Sequence, residues 1–165
     1  SMEVIDDFLD EELLEDLEYN FLHTYPHYYI GHSHKNSKLF YYYNFYNAGK
    51  NKLSEISPIG KTLINKLSRF TKEIILTNLY LNIQHPGMCG ESHTDYTPDW
   101  GGKTFLIMIT KKGIGGEFMY KKNETFESIE YKQNRLIIFD GSIPHYGKDF
   151  KNAPRITLAF KFKKI

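Results

Sequence analysis

A chain of 165 residues is long enough to bury a hydrophobic core and short enough to need only one domain, taken here as 1–165. Its 21 Lys and Arg against 20 Asp and Glu leave a net charge of +1, which disfavours nucleic acid and anionic membranes as partners. The one cysteine, Cys89, excludes an internal disulfide, and no apolar run reaches the about 20 residues that cross a bilayer.

The acidic opening "SMEVIDDFLDEELLEDLEYN" lacks a basic, apolar signal pattern, so a reducing cytoplasm is expected, or a host cytoplasm if the source is viral. Abundant Asn, Ile, Tyr and Lys are what an AT-rich viral or bacterial coding sequence gives. Within that opening Val4 and Ile5 read as a short strand. Asp10 then offers an N-cap, and Leu13, Leu14, Leu17 and Phe21 recur at helical spacing, which predicts a first helix.

Residues 25–47, "YPHYYIGHSHKNSKLFYYYNFYN", are dense in Tyr and hold His27, His32 and His34. They read either as a half-buried strand pair with solvated histidines or as a substrate-facing flap. Zinc is disfavoured there, because no cysteine or carboxylate lies nearby at ligand spacing. A second helix is predicted over 57–73, with Ser57 as cap, Pro58 in the first turn, and Ile59, Leu63, Leu67 and Phe70 on one face.

From Ile74 onward, β-branched and aromatic runs alternate with Gly, Pro and Asn: "IILTNLYLNIQ", "KTFLIMIT", "GGEFMY", "ETFESIEY", "RLIIFD" and "RITLAFKF". Supporting strands and helices over 1–73 therefore precede a mainly β core over 74–165, a barrel or sandwich backed by helices.

The stretch "GESHTDYTPDWGG", residues 90–102, places His93 and Asp95 two apart, so in extended backbone both point the same way. A third ligand must come from elsewhere, and His145 in "DGSIPHYG" follows the strongly apolar "RLIIFD" in a turn that can reach inward. Two imidazoles and one carboxylate form a facial triad, which holds one face of a ferrous ion and leaves the opposite face open. Further on, Arg155 and Thr157 alternate on one strand face. A planar guanidinium beside a hydroxyl suits a carboxylate, although Asp140 and Asp149 are close enough in sequence to be ion-pair partners instead.

Together with "YLNIQHPG" before and "GGEFMY" between, the order His93-x-Asp95, His145, Arg155-x-Thr157 resembles the Fe(II) and 2-oxoglutarate dependent oxygenases, and among them the prolyl 4-hydroxylase-like branch. The opening "VIDDFLDEELLEDL" is similar to the start of that branch. The resemblance implies a double-stranded β-helix, or jelly roll, with iron on His93, Asp95 and His145 and the far carboxylate of 2-oxoglutarate on Arg155 and Thr157. Dioxygen would be consumed, succinate and carbon dioxide released, and ascorbate would serve as reductant. Because Asp95 fills a coordination position that halogenating relatives give to chloride, hydroxylation is favoured.

Around that set, Tyr80, Asn82 and Gln84 either contact the cosubstrate or form an edge-strand polar group. Relatives often place a tyrosine on the strand matching "TFLIMIT"; here Met108 stands there, shifting the task to Arg155, Thr157 and either Tyr80 or Thr104. Tyr96 and Trp100 are a packed turn or a rim over substrate, and Tyr43 is a further candidate substrate contact. By resemblance the substrate is a prolyl residue in a peptide or protein. The alternatives are a free amino acid, small metabolite or nucleobase, or a cupin-like module without oxidation. A monomer or weak dimer is expected.

Overall fold

The computed structural model describes residues 2–25, 28–32 and 39–165, with side chains over 2–25 and 40–165. Chain order runs β1 (Met2–Ile5), α1 (Glu11–His23), β2 (Tyr28–His32), β3 (Leu39–Asn47), α2 (Pro58–Lys66), β4 (Ile74–Gln84) and β5 (Lys103–Met108). Then follow β6 (Phe118–Lys122), β7 (Thr125–Ile129), β8 (Leu136–Asp140), β9 (His145–Gly147) and β10 (Arg155–Lys164). The described strands form two antiparallel sheets, one in the order β1-β8-β5-β10-β4-β3-β2 and one in the order β7-β6-β9. This is the mainly β architecture with N-terminal helices that the strand patterns predict, and it fits the jelly roll that the resemblance implies.

The larger sheet has two differently made faces. Toward the helices it turns Leu79, Leu81, Ile83, Phe105, Ile107, Ile156, Leu158 and Phe160, which close over Leu14, Leu17, Phe21 and Leu63. Each such side chain contributes about 1.5–3 kcal/mol when fully buried, so this apolar layer sets the sheet's orientation. The opposite face meets the small sheet through Leu106, Met108, Phe118, Phe139 and Ala159. Between the sheets the apolar filling stops short, and a cavity of about 420 Å³ opens.

Strand β4 changes phase along its length. Lys161 pairs with Asn78 but Phe162 pairs with Leu76, so Thr77 is an extra residue, a β-bulge. Before it Ile74 and Leu76 face the helices; after it Leu79, Leu81 and Ile83 do, while Asn78, Tyr80, Asn82 and Gln84 line the cavity. Strand β10 keeps one phase, with Ile156, Leu158 and Phe160 toward the helices and Arg155, Thr157, Ala159 and Lys161 toward the cavity.

Two helix expectations change in detail. Asp10 stands before α1 but makes no side-chain cap; its carboxylate meets Lys66 Nζ at 3.0 Å. Ser57 does cap α2, its Oγ accepting from Gly60 N at 3.3 Å. That helix ends at Lys66 rather than at 73, because the chain tightens into a 3-10 turn over Ser68–Phe70 and so brings the Phe70 ring against Phe8 and Phe105. In the 25–47 segment β2 pairs with β3. His27 and His34 lie outside the described residues, as does the side chain of His32. Among the described residues no helix is long and apolar enough to cross a membrane.

Candidate active site

His93 and His145 are locked to each other through their backbones. His93 N donates to His145 O at 3.1 Å and His145 N to His93 O at 2.9 Å, a single antiparallel bridge between the 90–102 loop and β9. One turn away, Asp95 N and Tyr96 N both donate to Gly141 O, at 2.7 and 3.1 Å. The loop with two candidate ligands is therefore fastened directly to the turn that carries the third. The ligand atoms of His93, Asp95 and His145 all lie within 4.8 Å of one another.

Each imidazole is also oriented from behind. His93 Nδ1 contacts Glu91 O at 2.9 Å and His145 Nδ1 contacts Ile143 O at 2.7 Å. A carbonyl only accepts, so each Nδ1 carries the proton and each Nε2 presents its lone pair to the cluster, the tautomer a metal needs. Phe118 and Phe139 flank the His145 ring at 5.7 and 4.7 Å. Burial, and then the neighbouring His145, push His93 below the ordinary histidine value, which keeps it neutral and able to ligate.

Asp95 is the most heavily engaged member. Its side chain is 2% exposed, Thr104 donates to Oδ2 at 2.6 Å, and Lys161 Nζ lies 3.0 Å from Oδ1. Burial alone would raise the carboxyl, but the Lys161 ammonium, then His145 and Thr104, outweigh it and hold Asp95 well below the usual carboxylate range. Lys161 answers in kind: burial would lower it, yet the Tyr80 hydroxyl and Asp95 hold it above the ordinary lysine range.

At the other end of the β10 row Arg155 is 2% exposed. Its Nε donates to Gly116 O at 3.1 Å, its Nη1 to Gln84 Oε1 at 2.9 Å, and its guanidinium lies 5.4 Å from the Tyr131 ring centroid. Asp140 instead accepts from Ser142, and Asp149 accepts from Gly87 N, so neither is the ion-pair partner of Arg155. Gly147 makes room: a Cβ there would sit 2.9 Å from Arg155 Nη1. Among the described residues, Arg155 Nη2 and Thr157 Oγ1 are buried without a hydrogen-bond partner, both on residues of the cavity wall. Buried donors left unpaired are costly, and an entering carboxylate would satisfy both, so the residues present fit a dicarboxylate cosubstrate.

No family model and no curated protein matches the sequence. Solved structures do. A 2OG-Fe(II) oxygenase family oxidoreductase from Burkholderia pseudomallei superposes with a TM-score of 0.77 at 15% identity, covering 98% of this chain and 84% of that one. HygX from Streptomyces hygroscopicus, with nickel and 2-oxoglutarate bound, gives 0.73 at 10% identity, covering 99% and 82%. A viral collagen prolyl hydroxylase from Paramecium Bursaria Chlorella virus-1, in complex with 2OG, gives 0.64 at 17% identity, covering 99% and 96%. The fold is that of the 2OG-Fe(II) oxygenases.

Within this oxygenase fold the candidate residues separate into groups. His93, Asp95, His145, Arg155, Thr157, Tyr80 and Asn82 all line the cavity. Gln84 lines it too, but its Oε1 holds Arg155 and its Nε2 donates to Met88 O and Gly147 O, both at 2.9 Å, so its amide positions the guanidinium. Tyr43 is corrected: it packs against Tyr25 and Phe45 on the helix side, and alternation along β3 gives the cavity to Phe40, Tyr42 and Asn44. Tyr96 and Trp100 stack on each other at 5.6 Å without lining the cavity, and the Tyr96 hydroxyl is taken by Thr77 at 2.6 Å. Met108 is buried between the sheets beside Tyr131.

Sequence reasoning missed Lys161 and Tyr131. Lys161 had a signal, since the alternation of Arg155 and Thr157 continues through Ala159 to a lysine between Phe160 and Phe162. Tyr131 had none, because it lies outside any strand and meets Arg155 only through the tertiary fold.

Proposed function

We propose that this chain is an Fe(II)- and 2-oxoglutarate-dependent dioxygenase that hydroxylates an unactivated C–H bond, with a prolyl residue of a peptide or protein as its substrate. The observation that carries the reading is the pair of buried donors, Arg155 Nη2 and Thr157 Oγ1, that find no partner among the described residues and lie in the same cavity as the His93, Asp95, His145 cluster. His93, Asp95 and His145 would hold the iron, with the face opposite them left open. Arg155 and Thr157 would take the far carboxylate of 2-oxoglutarate, and Gln84 with Gly116 O would keep the guanidinium from swinging toward the metal end. Iron held there would, with 2-oxoglutarate and dioxygen, supply the oxidising power as 2-oxoglutarate becomes succinate and carbon dioxide, and ascorbate would serve as reductant. Leu106, Phe118 and Phe139 exclude water around His145, while the backbone bridge holds the ligand geometry through turnover.

A second substrate reading has its own support. The cavity wall from β3 and β4 presents Asn44, Asn47, Asn78 and Asn82, a row of amides suited to a polar small molecule. A structure of HygX with nickel, 2-oxoglutarate and hygromycin B bound has the same fold, with a TM-score of 0.69. The deciding experiment measures succinate formation under air, with Fe(II), ascorbate and 2-oxoglutarate, against proline-containing peptides and against polyhydroxyl and amino-acid small molecules. Turnover stimulated by a peptide that gains the mass of one oxygen supports the prolyl reading. Stimulation by small molecules alone transfers the assignment to them.

A further inference from the structure

At one end of this cavity Arg155 keeps a donor without a partner among the described residues, but at the metal end a partner is already in place. Lys161 Nζ sits 3.0 Å from Asp95 Oδ1, on a side chain 22% exposed against the 2% of Asp95. Its Nζ lies over the Tyr80 ring, 5.3 Å from the ring centroid. The same carboxylate lies 3.7 Å from His93 Nε2 and 3.4 Å from His145 Nε2. A divalent ion ligated by all three would thus bind a carboxylate that already carries an ammonium.

We propose that Lys161 is the resident counter-ion of the metal site, neutralising Asp95 before loading and holding divalent-ion affinity down until an anionic cosubstrate enters. The proposal rests on the reading that His93, Asp95 and His145 hold a divalent cation. Its first ground is geometric: the ammonium and the metal compete for one buried carboxylate, and like charges so close in a poorly solvated site repel strongly. The second is a charge balance. Among the described residues, the charged groups lining the cavity are Glu91, Asp95, Arg155 and Lys161, which cancel. A divalent ion then leaves two positive charges uncompensated, and a dicarboxylate removes both. Lys161 therefore makes metal and 2-oxoglutarate binding mutually dependent, each strengthening the other by the same factor. It is a positioning residue that acts through Asp95.

The test uses Mn(II) alone and Mn(II) with 2-oxoglutarate, titrated by calorimetry into the full chain and into Lys161→Met and Lys161→Arg. Expected are Mn(II) binding at least about tenfold tighter in Lys161→Met than in the wild type, near wild-type affinity in Lys161→Arg, and a gap that narrows when 2-oxoglutarate is present. The metal-free Lys161→Met protein should also melt at lower temperature and gain more from Mn(II) than the wild type does, because its Asp95 lacks a cation. Equal or weaker Mn(II) binding in a folded Lys161→Met protein overturns the proposal while leaving the metal site standing. No Mn(II) binding in any of the three proteins overturns both.

Discussion

The two ends of the β10 row handle a buried cation in opposite ways. Arg155 is surrounded by neutral acceptors, Gly116 O and Gln84 Oε1, and keeps one donor unused. Lys161, on the same face, is already matched with Asp95. One end keeps a donor that an anion from outside could satisfy, the other is arranged around an anion the chain supplies. The residue types fit this division. A guanidinium is fixed by two protein contacts and still offers a planar edge, whereas an ammonium is a compact charge on a flexible stem that can yield to a metal.

The comparison breaks most severely at Asp95. Asp95→Ala should abolish succinate formation and weaken Mn(II) binding, seen by calorimetry, beyond the about 10–100-fold that loss of an outer partner costs. Arg155→Met should leave Mn(II) affinity near wild type but weaken 2-oxoglutarate by about 10–100-fold, since a hydrogen bond to a charged group is worth about 1.5–3 kcal/mol. A parallel loss of metal binding in Arg155→Met would mean the two ends are not separable. Smaller still, Gln84→Leu should raise KM for 2-oxoglutarate by about 2–10-fold with kcat little changed, as expected when a neutral bond behind the anchor is lost.

The subtlest effect is on acid stability. Asp95 is held below its ordinary 3.8 and His93 below its ordinary 6.5. In both cases the unfolded chain binds protons more readily than the fold, so their stabilisation is complete above those ordinary values and is lost as pH falls through the depressed ones. Urea unfolding of the metal-free protein should show Asp95→Asn losing less stability than the wild type between pH 4 and pH 2, its acid limb being the flatter (about 3.9 is the unfolded Asp value). Parallel limbs would mean that Asp95 titrates normally.

The strand-rich core and the three clustered side chains were legible because they are written in local patterns, while the jelly roll itself was what the family resemblance implied. Period-2 runs give the strands, His93 and Asp95 share a face by spacing, and Arg155 with Thr157 repeat that logic on β10. Tyr43 shows where this fails: in "LFYYYNFYN" aromatic residues occupy both faces, so alternation has no contrast and the register must come from the pairing of β3 with β4. Gln84 shows another limit, since a polar residue on the cavity side reads the same whether its amide meets a ligand or a neighbouring arginine. Lys161 is the most instructive case. Lysine near a strand end usually means a solvated edge, and only the fold brings Asp95, distant in sequence, to within hydrogen-bond reach of it.

Thr77 acts on β4 as a change of parity. Along β4 the apolar code is even before it, at Ile74 and Leu76, and odd after it, at Leu79, Leu81 and Ile83. One inserted residue flips the reading frame of the strand's surface. Removing it would send Tyr80, Asn82 and Gln84 into the oily layer beneath the helices and bring three leucine and isoleucine side chains up into the cavity. A single codon thus separates a binding wall from a core.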